Sequence, residues 1–139
     1  MQKKKSASRR QALSFDDVRE IALSMPEVEE ITAYGMPGFK AGKTRFAVQP
    51  YPRPDVVPNS LGVPISFDER ARVLAARPDV YYVTDHFLKY PGVLVRLASV
   101  DRKELREILS AAWQYAMEHQ VSAPRPRRKP SARAARARR

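Results

Sequence analysis

The strongest constraint on the fold is a set of three helix starts along the chain. Each start places a capping side chain three residues before a carboxylate: Ser14 before Asp17, Ser66 before Glu69, and Asp101 before Glu104. The capping oxygen accepts a hydrogen bond from a backbone N–H that the helix leaves unpaired, and the carboxylate complements the helix dipole. Apolar residues follow each cap at helical spacing, so the sequence predicts helices that begin near residues 15, 67 and 102.

Strand-like runs fill the intervals between these helices. Alternating, β-branched and aromatic residues predict five strands, at residues 31–34, 38–41, 44–49, 80–84 and 93–98. Five prolines between Pro50 and Pro64 favour a long exposed loop, because proline cannot donate a hydrogen bond to a strand ladder. A short piece at residues 62–66 is a candidate extension of the sheet.

The predicted order of elements is α-β-β-β-α-β-β-α. The connections are short and there is no regular β-α-β alternation, which favours an antiparallel sheet. We therefore predict an α+β fold, a two-layer α/β sandwich whose helices pack on one face of the sheet. The other face would then be open to a ligand.

The net charge of +11 is confined to the two ends of the chain. Residues 1–12 carry five Lys or Arg side chains and residues 122–139 carry eight, with no acid in either segment. Residues 13–121 hold 13 Lys or Arg against 15 Asp or Glu and are nearly neutral. The charge pattern predicts a disordered basic arm at 1–12, one folded domain at 13–121, and a disordered basic tail at 122–139.

These two basic segments are the strongest functional signal. Clustered cations without acids bind nucleic-acid phosphates through counterion release, with little sequence specificity. A solubilising or protein-docking tail is the alternative. The candidate nucleic-acid-binding residues of the two segments are Lys3, Lys4, Lys5, Arg9, Arg10, Arg125, Arg127, Arg128, Lys129, Arg133, Arg136, Arg138 and Arg139.

Basic side chains of the predicted sheet form a second candidate contact. We assign Lys43, Arg45 and Arg96 to the open face, and expect Arg45 to share its side of the strand with Ala47. An ordinary solvated face with salt bridges is the competing interpretation. Among the aromatic residues, most of which are expected to pack in the core, Tyr34 and Tyr90 are candidate ligand-facing side chains because both stand at turns.

Residues 42–44, Gly-Lys-Thr, come close to a phosphate-binding P-loop. That motif requires a glycine at position 37, where this chain has Pro37, and a helix immediately afterwards. A strand-like run follows instead. We therefore interpret the segment as a hairpin turn with Gly42 in the left-handed region.

Groups that could support catalysis or hold a metal are sparse. The chain has no cysteine, and the neighbouring Asp85 and His86 point opposite ways in an extended segment with no nucleophile nearby. We assign no catalytic residue, no metal and no cofactor. With no run apolar enough to span a membrane, we expect a cytoplasmic protein that could associate with the nucleoid.

A cluster of acids lies near the first helix. It lacks the spacing of a calcium-binding loop, so a solvated helix face is the preferred interpretation and a cation site the lesser one. The cluster is also a candidate surface for docking the chain's own basic tails. Its members are Asp16, Asp17, Glu20, Glu27, Glu29 and Glu30.

Three separated motifs carry a resemblance to a known family. The segments are "FDDVREIALSMPEVEE", "TAYGMPGFKAGKTRFAV" and "PDVYYVTDHFLKYPGVLVRLASVDRKELREILSAAW", in that order along the chain. Together they resemble the MmcQ/YjbR family over about residues 14–117. The resemblance implies a two-layer α/β sandwich like that of secretion chaperones, and a DNA-binding role that members are commonly given. It supplies no catalytic residues.

These observations predict a small non-enzymatic nucleic-acid-binding protein. We expect DNA rather than RNA as the partner, with affinity mainly from the basic tails. One alternative is a chaperone-like module that binds a protein partner on the open sheet face. Another is an enzyme or small-ligand site near Tyr34, Lys43 and Tyr90. The sequence leaves the oligomeric state open.

Overall fold

The computed structural model describes residues 12–120, in which there are three α-helices. They are α1 (Phe15–Leu23), α2 (Phe67–Ala76) and α3 (Arg102–Glu118). All three predicted caps are confirmed, because the side chains of Ser14, Ser66 and Asp101 each accept a hydrogen bond from a backbone N–H of the first turn. At α1 the capping box is complete, since Asp17 also accepts from the backbone N–H of Ser14.

The same part of the chain forms one antiparallel sheet of six strands. Their order across the sheet is β1-β2-β3-β4-β6-β5, and every neighbouring pair is antiparallel. The predicted α+β architecture is confirmed, with one strand added. The strands are β1 (Val28–Ala33), β2 (Met36–Ala41), β3 (Thr44–Val48), β4 (Ser60–Val63), β5 (Tyr81–Tyr82) and β6 (Val93–Arg96).

The added strand lies within the proline-rich region. The prediction of a long exposed loop is wrong for Ser60–Val63, whose four residues are all buried in β4. Pro58 precedes this strand and Pro64 follows it, so every residue of β4 keeps its N–H for the ladder. β4 pairs with β6 along its whole length and joins β3 through Val48 and Gly62.

The strand predicted at residues 80–84 is shorter than expected. β5 contains only Tyr81 and Tyr82, and a 3₁₀ helix at Asp85–Phe87 follows it. The segment then leads through residues 88–92 into β6. The chain therefore leaves the edge of the sheet early and builds a loop at the start of β6.

The core lies between the helices and one face of the sheet. Val18 of α1 and Leu105 and Leu109 of α3 are fully buried in one cluster with Phe39 and Phe46 of the sheet. α3 contacts β3, and α1 packs against both α3 and β1. These contacts make two layers, with the helices on a single side.

Residues 1–11 and 121–139 lie outside the described part of the chain. All the candidate cations of the predicted basic arm and basic tail fall in these two ranges, so their roles stay predictions. Within residues 12–120, none of the helices combines the length and the hydropathy that crossing a membrane requires.

Candidate functional site

The face of the sheet opposite the helices carries a continuous row of small and apolar residues. Each strand contributes one cross-strand partner: Ile31 of β1, Gly38 of β2, Val48 of β3, Gly62 of β4, Leu94 of β6 and Tyr82 of β5. Directly paired residues of an antiparallel sheet point to the same side, so all six share this face. We call it the open face, although it is only partly exposed: Ile31, Val48 and Tyr82 are half-buried, and Gly38, Gly62 and Leu94 are buried.

A β-bulge in β3 decides which side chains reach the open face. Lys40 pairs with Arg45, but the preceding residue of β2, Phe39, pairs with Ala47, which leaves Phe46 as an extra residue. Phe46 and Ala47 are both buried in the core. The expectation that Arg45 shares its side with Ala47 is therefore wrong, because the bulge turns Ala47 inward and leaves Arg45 beside Lys40.

Gly38 sits where the floor of the open face is tightest. A Cβ atom on this residue would lie 2.8 Å from Cγ1 of Val48 and 3.1 Å from the carbonyl oxygen of Ala47. Real Cβ atoms do not tolerate such contacts, so the close approach of β2 and β3 requires glycine here.

Tyr34 stands at the β1–β2 turn and is the most exposed large hydrophobic side chain of residues 12–120, at 83%. The Cζ atom of Arg45 lies 5.9 Å from the centre of its ring. At this distance an arginine is attracted to the face of an aromatic ring. The structure thus brings together two residues that the sequence assigned to the site separately.

Arg45 differs from its cross-strand neighbour Lys40 in its ion pairing. Lys40 forms an ion pair with Glu29 at 3.7 Å, whereas no carboxylate within residues 12–120 lies in ion-pair range of Arg45. Its side chain is exposed. An unpaired guanidinium offers planar N–H donors to a phosphate or a carboxylate.

Lys43 occupies the turn between β2 and β3, as predicted. Gly42 has a φ of 62°, and its N–H donates to the carbonyl of Glu27 at 2.9 Å. The backbone N–H of Lys43 donates to Oε1 of Gln120 at 2.7 Å. Gly-Lys-Thr is therefore a hairpin turn whose amide is already engaged, and its Lys side chain is exposed at the Arg45 end of the strands.

Arg96 lies on the open face but is more confined than Arg45. Its Cζ atom is 4.4 Å from the centre of the Tyr82 ring, and its Nη1 donates to the carbonyl of Pro78 at 3.1 Å. The Tyr82 hydroxyl accepts from the N–H of Val57 at 2.9 Å and lies 2.6 Å from Oγ of Ser60. The segment between β3 and β4 therefore reaches this end of the face.

A carboxylate also reduces the positive field near Arg96. The pKa of Asp79 is held below its ordinary value, mainly by the hydrogen bond from Arg77 and to a smaller extent by Arg96. Asp79 is therefore ionised at neutral pH and offsets part of the charge of Arg96. Arg45 and Arg96 lie on β3 and β6 with β4 between them, so they act as two separate cations.

Comparison with known proteins shows the family. The family model described as YjbR matches residues 23–115. This chain is a YjbR family protein. It is 34% identical over 116 residues to uncharacterized proteins of Mycobacterium tuberculosis and Mycobacterium bovis, which covers 72% of this chain and 85% of theirs.

A solved structure shows the same fold. The crystal structure of a Deinococcus radiodurans protein with a DUF419 domain matches this YjbR chain with a TM-score of 0.65. The match covers 82% of this chain and 84% of that one, at 19% sequence identity. At this identity the likeness extends to the fold alone.

Tyr90 of the YjbR domain lies apart from Tyr34. It is 56% exposed and belongs to the loop that leads into β6, whereas Tyr34 follows β1 at the far edge of the sheet. The structure therefore does not join these two predicted ligand-facing residues in one site. A shared small-ligand site of Tyr34, Lys43 and Tyr90 has no support in this geometry.

Sequence reasoning missed the residue that shapes the Tyr90 loop. Nη1 of Arg70 donates to the carbonyls of Phe87, Tyr90 and Gly92 at 3.3, 2.9 and 3.2 Å, and Nη2 donates to Leu88 at 3.1 Å. One guanidinium on α2 thus satisfies four carbonyls of a loop without regular structure. No pattern in the sequence pairs an arginine with carbonyls some twenty residues away.

The acidic cluster of this YjbR domain is partly neutralised, because three cations pair with five of its six acids. Arg19 pairs with Asp16 and Glu30, and Arg102 pairs with Asp17 and Glu20. In the described residues, no three His, Asp or Glu side chains are grouped so as to hold a metal ion. The described residues therefore form no hard-cation site, and docking of a basic tail on the cluster stays a prediction.

A groove of about 550 Å³ lies between α2 and α3, on the helix side. Phe67, Pro91, Tyr115 and His119 line it, and His119 stacks on Tyr115 with ring centres 3.9 Å apart. None of the predicted site residues contributes to it. The open face and the groove are thus on opposite layers of the molecule.

Proposed function

We propose that this YjbR protein binds nucleic acid, chiefly duplex DNA, through its basic end segments, and that the open face orients the domain on the phosphates. The role proposed for the folded domain rests on one observation. Arg45 is exposed on the open face without a carboxylate in ion-pair range among the described residues, and it lies at the same end of the strands as Lys43. Such cations position a protein on a phosphate backbone without reading bases.

The distribution of charge supports this orientation. Strands β2 to β6 contain Lys40, Arg45 and Arg96 and no acid. The helices, in contrast, hold most of the carboxylates of the domain: Asp16, Asp17, Glu20, Asp68, Glu69, Glu104, Glu107 and Glu118. The helices also carry six Lys or Arg side chains, so their net charge is −2, whereas the six strands sum to +1 because β1 contributes Glu29 and Glu30. A polyanion is therefore weakly favoured on the strand side.

The end segments would supply most of the affinity. They carry 13 cations without an acid, while residues 13–121 sum to about neutral. Each phosphate neutralised changes the slope of log K against log salt by about −0.9, so eight C-terminal cations correspond to a slope of about −7. Such binding would place the protein in the cytoplasm, with access to the nucleoid.

Charge-neutral substitution tests this proposal. Replacing the eight C-terminal cations with glutamine should weaken binding of a labelled duplex about equally for unrelated sequences and flatten the salt slope. Arg45→Gln should weaken binding further, whereas the matched control Arg106→Gln, an exposed cation of α3, should have less effect. An unchanged salt slope in the tail variant would overturn the proposal.

A protein-binding module is the second candidate function. The observation that favours it is the apolar row of the open face, in which Ile31 and Val48 are only half-buried. An extended partner segment could pack along such a row and along the edge strand β1. Two results would favour this function: the protein dimerises in solution, and the variant with glutamine in place of the tail cations does not bind DNA.

A further inference from the structure

We infer that Tyr34 is a stacking site for an unpaired base of a single-stranded nucleic acid, with Arg45 receiving the adjoining phosphate. This inference rests on the proposed function, because it assumes that the chain binds nucleic acid. It goes further by assigning the folded domain a ligand of its own. The end segments would hold the phosphate backbone, whereas Tyr34 would contact a base.

The backbone of Tyr34 supplies the first argument. The φ angles of Tyr34 and Gly35 are 55° and 78°, the pattern of a two-residue type I′ hairpin turn. Asn, Asp and Gly are the residues that favour the first of these positions, and an aromatic residue there is strained by about 1 kcal/mol or more. Tyrosine is thus an unfavourable choice for the turn itself.

The surroundings of the Tyr34 side chain supply the second argument. Tyr34 is 83% exposed, so burial of its side chain does not offset the backbone strain. Its ring contact is with the guanidinium of Arg45, 5.9 Å from the ring centre. The strain is therefore not explained by packing, and the ring face of Tyr34 opposite Arg45 remains accessible to a flat partner.

The chemistry of the pair indicates which partner fits. An exposed aromatic ring stacks on a nucleobase with little regard to sequence, and an adjacent arginine binds the phosphate. Both requirements are met by Tyr34 and Arg45, whose side chains are exposed and adjacent. In a duplex the faces of each base are covered by its neighbours, so this site selects unpaired nucleotides.

The test compares two variants of the full chain. Tyr34→Asn removes the ring and places a residue suited to the turn, while Tyr51→Asn removes another exposed tyrosine, 59% exposed, from the segment between β3 and β4. Binding is measured by anisotropy with a labelled single strand of about ten nucleotides, and with an abasic strand of equal length. Salt is held at about 0.3 M to weaken the contacts of the end segments.

We expect Tyr34→Asn to weaken binding of the base-bearing strand by about tenfold and to leave the abasic strand unaffected. Tyr51→Asn should change neither. The melting temperature of Tyr34→Asn should be equal to or above that of the wild type, because the strain is relieved. A lower melting temperature would instead show that Tyr34 serves the fold.

The remaining outcomes separate the two proposals. If the wild-type chain binds neither these strands nor a labelled duplex at any salt concentration, the proposed function itself fails. If it binds both strands equally and Tyr34→Asn has no effect, the proposed function stands and the stacking site is overturned.

Discussion

The hydroxyl of Tyr81 donates a hydrogen bond to Oε2 of Glu104 at 3.0 Å and so links β5 to α3. Tyr81 is only 3% exposed. The other carboxylate oxygen of Glu104 accepts from Nη1 of Arg77 at 2.7 Å. A short edge strand of two residues is thus held to the helix layer by a satisfied polar network.

Removal of this hydroxyl should destabilise the domain. Tyr81→Phe keeps the ring but leaves a carboxylate oxygen of Glu104 without its donor. We expect the free energy of unfolding at neutral pH to fall by about 1 kcal/mol. Urea unfolding followed by circular dichroism measures this loss, and an unchanged midpoint would mean that the bond contributes nothing.

The same network predicts a dependence on alkaline pH. Burial, reinforced by the neighbouring Glu104, raises the pKa of Tyr81 far above its ordinary value. The unfolded chain releases this proton near pH 10 and the folded chain retains it, so the contribution of Tyr81 is complete below about pH 10 and falls above it. The stability of the wild type should therefore approach that of Tyr81→Phe as the pH rises from about 9 to 11, and a constant difference would contradict this.

Gly38 and Gly62 make a matched pair for testing the floor of the open face. Gly38→Ala would place Cβ 2.8 Å from Val48 Cγ1 and 3.1 Å from a backbone oxygen, so we expect a loss of about 1 to 3 kcal/mol. Gly62→Ala meets nothing nearer than 3.6 Å and should cost much less. Thermal unfolding of both variants measures the two losses of stability. Equal losses would mean that the close approach of β2 and β3 does not require glycine at position 38.

Arg70 should be the residue that holds the Tyr90 loop. Arg70→Lys keeps the charge but loses the planar set of donors that reaches four carbonyls. We expect a loss of about 1 to 2 kcal/mol and faster amide exchange at residues 88–92. Arg72→Lys, two residues further along α2 and paired with Glu69 at the surface, is the control and should change stability by less than about 0.5 kcal/mol.

The helices could be predicted from the sequence because their signals are local. A cap and a carboxylate three residues apart specify a helix start through contacts within one turn, and all three predicted starts are confirmed. β4 was predicted only in part, as the candidate extension at residues 62–66, for the opposite reason. Its four residues are buried by pairing with β6 some thirty residues later, while the prolines on either side dominate the local pattern.

The arrangement of the candidate site could also be predicted only in part, because it too depends on long-range strand pairing. The alternation of side chains along a strand correctly predicted Arg96 on the open face. It failed for the residues after Arg45, because a β-bulge there interrupts the alternation. The bulge depends on how β3 pairs with Phe39 and Lys40 of β2. The left-handed conformation of Tyr34 and its contact with Arg45 are visible only in the folded hairpins. Local patterns thus identified the residues, and long-range pairing decided their arrangement.

The most direct test of the central claim is fluorescence anisotropy of a labelled random-sequence duplex at several salt concentrations. The full chain and residues 13–121 are titrated side by side, with circular dichroism to confirm that the shorter chain is folded. We expect tight binding by the full chain with a steep salt slope, and weaker binding by residues 13–121 that Arg45→Gln reduces further. Equal affinities of the two chains, or no binding by the full chain at low salt, would contradict it.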